Sequence, residues 1–246
     1  MHNLCLRLHL RGAGRGRETG LERMASNTLR NNGLSIVWIV MSVVFLGGQA
    51  MAGHRVYNDE QTQHGEQAVG FGAYLGTGHF GEAVFENWES EFLQMGMFVI
   101  LTAFLFQKGA SESKDPEKDH EPVDEDPRNH RGDPDAPGPV KRGGLALKLY
   151  ENSLSLTLFT LFLASFALHA VTGAREYSAE QTQHGQAAAG VMDYLGSSQF
   201  WFESFQNWQS EFMSVAVLTL LSIWLRQRSS PESKPVHKPH GATGND

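Results

Sequence analysis

Glu60-Gln61-Thr62-Gln63-His64-Gly65 recurs unchanged as Glu180-Gln181-Thr182-Gln183-His184-Gly185. The match runs far beyond the hexapeptide: Leu34 to Lys114 lies on Leu154 to Lys234 without a gap, and 30 of the 81 pairs are identical. A self-match of that length at a spacing of 120 residues makes the chain a tandem duplication, so each half is read against the other.

Upstream of each hexapeptide is a long uncharged apolar block, Leu34 to Ala52 and Leu154 to Thr172. Such a block forms a helix of about 28 Å, close to the thickness of a bilayer core. Gly53 and Gly173 follow, where each helix is expected to end. Downstream, Phe92 to Phe106 and Phe212 to Leu225 are shorter than the usual span. The helical pattern nevertheless extends backward: Phe85, Trp88 and Phe92 form one stripe, as do Phe205, Trp208 and Phe212. This predicts helices over about 80 to 107 and 200 to 227, with their first turns in or above the outer headgroup layer. Trp88, Trp201 and Trp208 suit an aromatic belt there. The expected fold class is therefore all-α, an integral membrane protein with four transmembrane helices as two tandem parallel two-helix repeats.

Charge orients these spans. Of 20 Lys and Arg, only Arg55 and Arg175 fall between the paired helices. The positive-inside rule then puts both termini and the central linker in the cytoplasm, with loops 53–79 and 173–199 outside the inner (cytoplasmic) membrane. The expected organisation is an Arg-rich extension at 1–33, with Met24 as the natural start or the Arg-rich stretch as a targeting peptide. Membrane repeat 1 follows at 34–107, a disordered acidic and Pro-rich linker at 108–148, membrane repeat 2 at 149–228, and a disordered tail at 229–246. The net charge of -7 argues against a nucleic-acid partner, and the single Cys5 rules out an intrachain disulfide. The partner expected is the lipid bilayer, and so thin a bundle leaves room for a homo-oligomer or a membrane partner.

Candidate chemistry lies in the outer loops. Asn58 and Ser178, with Gln61 and Gln181 three residues on, read as caps of a short helix that Gly65 and Gly185 stop. Glu60 and His64, and likewise Glu180 and His184, stand at i, i+4 on one helix face. Brought together, two carboxylates and two imidazoles would bind a divalent transition metal or form a proton-sensitive cluster; each pair could equally staple its loop. A second constellation surrounds Asn87, Trp88 and Glu91, repeated as Asn207, Trp208 and Glu211. Glu91 and Glu211 are the last charges before each apolar run. They either line an outer cation or proton site or sit at the interface, paired with Arg55 or Arg175. His169, matched by Gln49 about one turn from the outer end of its span, reads as a hydrogen-bonded packing residue. Ala50 with Ala170, and Gly96 with Ala216, would allow close helix approach. The halves differ at Glu82 (Phe202) and at Glu203 (Ala83), so a two-fold site built on these positions is not expected.

Arg-x-Tyr-x-x-Glu-Gln, His-Gly, Tyr-Leu-Gly, Asn-Trp-x-Ser-Glu-Phe and Glu-Ser-Lys occur in both halves. In these motifs the chain resembles a family of small bacterial membrane proteins that carry a domain of unknown function, over roughly residues 30 to 235 without the linker. The resemblance implies a bacterial inner-membrane protein with duplicated helix pairs. It carries over no activity and no ligand residues, and the Arg-rich leader departs from it.

Two function classes stay open. One is a non-enzymatic envelope or scaffold component; the other is a small transporter or channel with an external cation or proton site at the repeated Glu and His residues. An enzyme is not indicated: no catalytic residue can be assigned, since the chain has no phosphate loop, nucleophile triad or paired-Cys motif. No cofactor is required by the sequence, and no metal can be named from it. No Asp, Glu, Lys or Arg lies near a bilayer midplane, which counts against a proton-coupled pump.

Overall fold

The computed structural model describes the backbone of residues 20–244, with side chains from Thr28 onward. Residues 1–19 of the Arg-rich extension, with Cys5, lie outside the residues so described, and of Met24 only the backbone is described. Among the described residues the regular structure is helical. The elements are α1 (Gly20–Gln63), α2 (Phe71–Tyr74), α3 (Gly78–Phe104), two 3-10 turns (Pro122–Asp124 and Pro127–His130), α4 (Gly138–Arg142), α5 (Gly144–Glu151), α6 (Ser153–Gln183), α7 (Val191–Leu195) and α8 (Ser198–Ser222). The order long helix, short helix, long helix occurs twice, with Gln63 matched by Gln183, Phe71 by Val191 and Gly78 by Ser198. The chain divides into two units, one ending at Phe71 and the other beginning at Gly72.

α1 and α6 do not stop at Gly53 and Gly173, and no separate helix begins at Asn58 or Ser178. A glycine within a helix costs only about 1 kcal/mol, and the apolar block, the glycine and the polar segment form one uninterrupted helix. The stop comes at the end of the hexapeptide. Gly65 and Gly185 take φ of 79° and 74°. Glu66 N donates to the Gln61 carbonyl and Gly65 N to Thr62; Gln186 and Gly185 repeat both bonds on Gln181 and Thr182. This is the doubly bonded glycine termination that satisfies the last carbonyls of a helix. Asn58 holds the returning strand of its loop instead of capping a helix: Val69 N donates to Asn58 Oδ1 (2.8 Å), and Asn58 Nδ2 donates to the Val69 carbonyl (3.0 Å). Ser178 Oγ accepts from Ala189 N at the matching place (3.2 Å).

The helices expected over 80 to 107 and 200 to 227 are α3 and α8. Thr77 and Ser197 cap them, each side-chain oxygen accepting from the backbone N–H three residues on. In the second unit α3 packs along α6 and runs antiparallel to it. Gly78 lies against the backbone at Thr172 and Glu176, Gly81 against the Thr172 side chain, and Gly96, farther along, against the Phe159 ring. α8 packs on α3, and α7 folds over α6. Ala170, Ala174, Tyr194 and Phe200 form the buried core there, with Phe166, Tyr177 and Leu195 around it.

Two helices, Thr28–Gln63 and Ser153–Gln183, are long and apolar enough to cross a bilayer. Val37, Trp38, Ile39, Val43, Val44 and Phe45 of α1 turn more than half their surface outward. α3 and α8 fall outside that class because their first halves carry carboxylates.

Residues 108–148 and the tail, expected to lack fixed structure, hold turns and short helices. In the tail Lys234 is almost fully buried, and its ammonium donates to the carbonyls of Gly109, His240 (2.8 Å) and Ala242 (2.7 Å). Thr243 Oγ1 accepts from Gly109 N (2.9 Å), and Gly244 N donates to the Ala110 carbonyl (3.0 Å).

Candidate functional site

Glu82, Glu86 and Glu89 recur at i, i+4, i+7 and so share one face of α3. His169 stands on α6 five residues before Arg175's neighbour Ala174, and its imidazole has no exposed surface. Its Nδ1 lies 2.8 Å from Glu89 Oε2. Glu89 is itself fully buried, and its other oxygen accepts from Trp208 Nε1 of α8 (3.0 Å). Nδ1 faces a carboxylate, so in a neutral ring it carries the hydrogen and the lone pair sits on Nε2.

Nε2 points at the remaining groups. The Tyr194 hydroxyl, brought over α6 by α7, is 3.3 Å away, and Glu203 Oε2 of α8 is 3.6 Å away. The Tyr194 hydroxyl also reaches Glu82 Oε1 (2.9 Å) and hydrogen-bonds to Glu203. Glu82, His169 and Glu203 each offer a ligand atom, and these atoms all lie within 4.8 Å of one another. Gly173 makes the approach of Tyr194 possible: a Cβ there would stand 2.5 Å from the Tyr194 oxygen. Phe200 closes one side, 5.0 Å from His169 and 5.3 Å from Tyr194 between ring centres. Glu203 keeps 16 % of its side-chain surface exposed, which leaves a way in from outside the packet.

The electrostatics are lopsided. Among the described residues, His169 is the basic group that ion-pairs with Glu89 and Glu203, and neither carboxylate has a Lys or Arg partner. Glu82 and Glu203 face each other across the Tyr194 hydroxyl. Glu203 is held by Tyr194 and by Gln199, whose side-chain amide hydrogen-bonds to it. The single hydroxyl hydrogen of Tyr194 can serve only one of the two carboxylates it faces.

Of the residues singled out from the sequence, Trp208 joins this packet through Glu89. His64 Nδ1 donates to the Glu60 carbonyl (2.9 Å) and His184 Nδ1 to the Glu180 carbonyl (2.8 Å), so each exposed ring is tied to its own helix end. Glu60 and His64 fall in the first unit, Glu180 and His184 in the second. Glu91 and Glu211 come within electrostatic range of each other. Asn87 and Asn207 donate to carbonyls one turn back, at Ala83 (2.7 Å) and Glu203 (3.1 Å). Trp88 makes an edge contact with Phe85, whereas Trp208 anchors Glu89, so the matched pair does not do matched work.

The carboxylates and the imidazole that converge are ones at which the two halves differ. The signal was in the disagreement: Glu82 matches Phe202, Glu89 matches Gln209, His169 matches Gln49, and Glu203 matches Ala83. Four ionisable residues, each without an ionisable counterpart, gather in one place.

A family model for a domain of unknown function, DUF6766, matches residues 25–245. The chain belongs to the DUF6766 family. No curated protein and no solved structure matches it. The family brings no activity with it, so the function of this DUF6766 chain is argued from the site.

Proposed function

We propose that the chain is a four-span membrane protein that binds a metal cation at the outer end of its α3, α6 and α8 packet, and that it acts by binding rather than by catalysis. The observation that carries this reading is the donor set: Glu82, His169 and Glu203 each offer a ligand atom within 4.8 Å of the others, and Glu89 backs the imidazole. Buried carboxylates without a compensating cation are costly, and a bound cation removes that cost.

The level of the site supports an outer location. His169 lies near the outer end of its apolar block, and Glu89 lies just before the apolar run of α3. Their hydrogen bond aligns the two apolar stretches at the same depth. Beyond Glu91 and Glu211, neither α3 nor α8 carries a charged residue up to its end, and residues 153–172 of α6 carry none. A site reached from one side suits this pattern better than a charged path across the bilayer. The inner membrane, with cytoplasmic termini, remains the location proposed from the Lys and Arg distribution.

The test is thermal unfolding of the detergent-purified full chain against Na⁺, K⁺, Mg²⁺, Ca²⁺, Mn²⁺ and Zn²⁺. At least one cation should raise the melting temperature in a saturable way. The Glu82→Gln/Glu203→Gln variant, similar in shape but without the charges, should lose that response. A chain whose melting temperature no cation moves does not have this function.

A further inference from the structure

Resting on that reading, we infer that the cation is a divalent transition metal, held by Glu82, His169 Nε2 and Glu203, with Glu89 as the residue that positions the imidazole. Three observations lead there. The first is ligand type. An imidazole nitrogen among the donors disfavours Mg²⁺ and Ca²⁺, which take all-oxygen shells, and suits zinc, manganese or cobalt. The second is size. Ligands about 2.1 Å from a tetrahedral ion stand roughly 3.4 Å apart. Nε2 to Glu203 Oε2 is 3.6 Å and Nε2 to the Tyr194 oxygen is 3.3 Å. The Tyr194 hydroxyl hydrogen-bonds Glu82 Oε1 (2.9 Å) and Glu203, so it lies between the two carboxylates and turns aside as the ion enters.

The third is support behind the ligand. Metal-binding histidines almost always donate their far N–H to a carboxylate or carbonyl, which fixes the tautomer and the ring plane. Glu89 does this at 2.8 Å and is itself fixed by Trp208 at 3.0 Å. Trp208 and Glu89 have no role in the outer loops, and this arrangement accounts for the full burial of Glu89. The repeat adds a stoichiometry. Gln49, Gln209, Phe202 and Ala83 stand at the matched positions, so a second such site cannot form, and one ion per chain is required.

The experiment titrates the detergent-purified full chain with Zn²⁺ and separately with Co²⁺, whose visible absorption reports nitrogen and oxygen ligation. Expected are one ion per chain, little competition from Mg²⁺ or Ca²⁺, and a cobalt spectrum lost in His169→Gln. Glu89→Gln keeps the amide in place of the carboxylate; it should bind one ion still, 10- to 100-fold more weakly and with a shifted cobalt spectrum. A residue that only supports the fold would lower the melting temperature of metal-free and metal-loaded protein alike and leave that spectrum unmoved. Saturable binding of Na⁺, Mg²⁺ or Ca²⁺ without stoichiometric Zn²⁺ or Co²⁺ would overturn this inference and leave the cation reading standing. Two ions per chain would overturn it as well. No response to any cation would end both.

Discussion

At the residue scale, two kinds of glycine do different work. Gly185 takes a left-handed backbone to end α6; Gly173, well inside α6, provides the space into which the Tyr194 hydroxyl fits. Gly173→Ala would put a methyl group 2.5 Å from that oxygen. Overpacking of this kind costs about 1–3 kcal/mol, and relief requires Tyr194 to leave Glu82 and His169. Thermal unfolding in detergent should show a clear drop for Gly173→Ala. Gly72→Ala, where a Cβ meets nothing within 4 Å, should stay within about 0.5 kcal/mol of the parent. The repeated histidines make the opposite case. His64 and His184 bond their own helix ends from exposed positions, so His64→Ala/His184→Ala should leave metal stoichiometry unchanged. Loss of the metal in that double variant would relocate the site to the outer loops.

At the element scale, the C-terminal tail is a packed part of the second unit. Lys234 donates to three carbonyls from a position with 1 % exposure. Lys234→Met leaves those acceptors unpaired and should cost about 2 kcal/mol or more, seen as a lower melting temperature and faster amide exchange at Gly109 and Gly244. Nearby, burial and then Glu232 raise Glu112 above its ordinary 4.5. A raised carboxyl stabilises the fold in its protonated form. That contribution is complete below the unfolded value near 4.5 and is lost as pH rises through the folded value. Stability should therefore fall with rising pH just above 4.5, and Glu112→Gln should flatten that slope. An unchanged slope would mean that Glu112 and Glu232 are apart. The capping expectation for Asn58 and Ser178 went astray at this same scale. A polar residue followed by Gln three positions later fits a helix start and a loop anchor alike, and only the returning Val69 and Ala189 amides decide between them.

At the scale of the whole molecule, the topology is the prediction with most consequence. A reporter fused at residue 130 should be cytoplasmic, and reporters at residues 66 and 186 should lie outside. Any other result would break the link between Glu82, Glu203 and the outer medium. The helices that test this most severely are α3 and α8, whose apolar runs are short and whose first turns carry carboxylates. If they span, Glu82 and Glu203 occupy the headgroup layer, where a partly exposed carboxylate is tolerated far better than at the midplane.

Hydrophobic patterning alone determined the long helices, and the 120-residue self-match alone determined that their order repeats. Both are local properties: a helix forms from near neighbours along the chain, and a repeat needs no partner in space to be seen. The glycine stops at Gly65 and Gly185 were legible for the same reason. The site was not. Glu89 and His169 are 80 residues apart, and Tyr194 and Glu82 are 112 apart. Nothing along the chain says that α3 of one repeat lies on α6 of the other, nor that Gly173 leaves room for a tyrosine from α7. Sequence marked these residues only as breaks in the repeat. Tertiary packing joined them, because buried carboxylates and an imidazole gain from one another only when helices distant in sequence hold them within hydrogen-bonding reach.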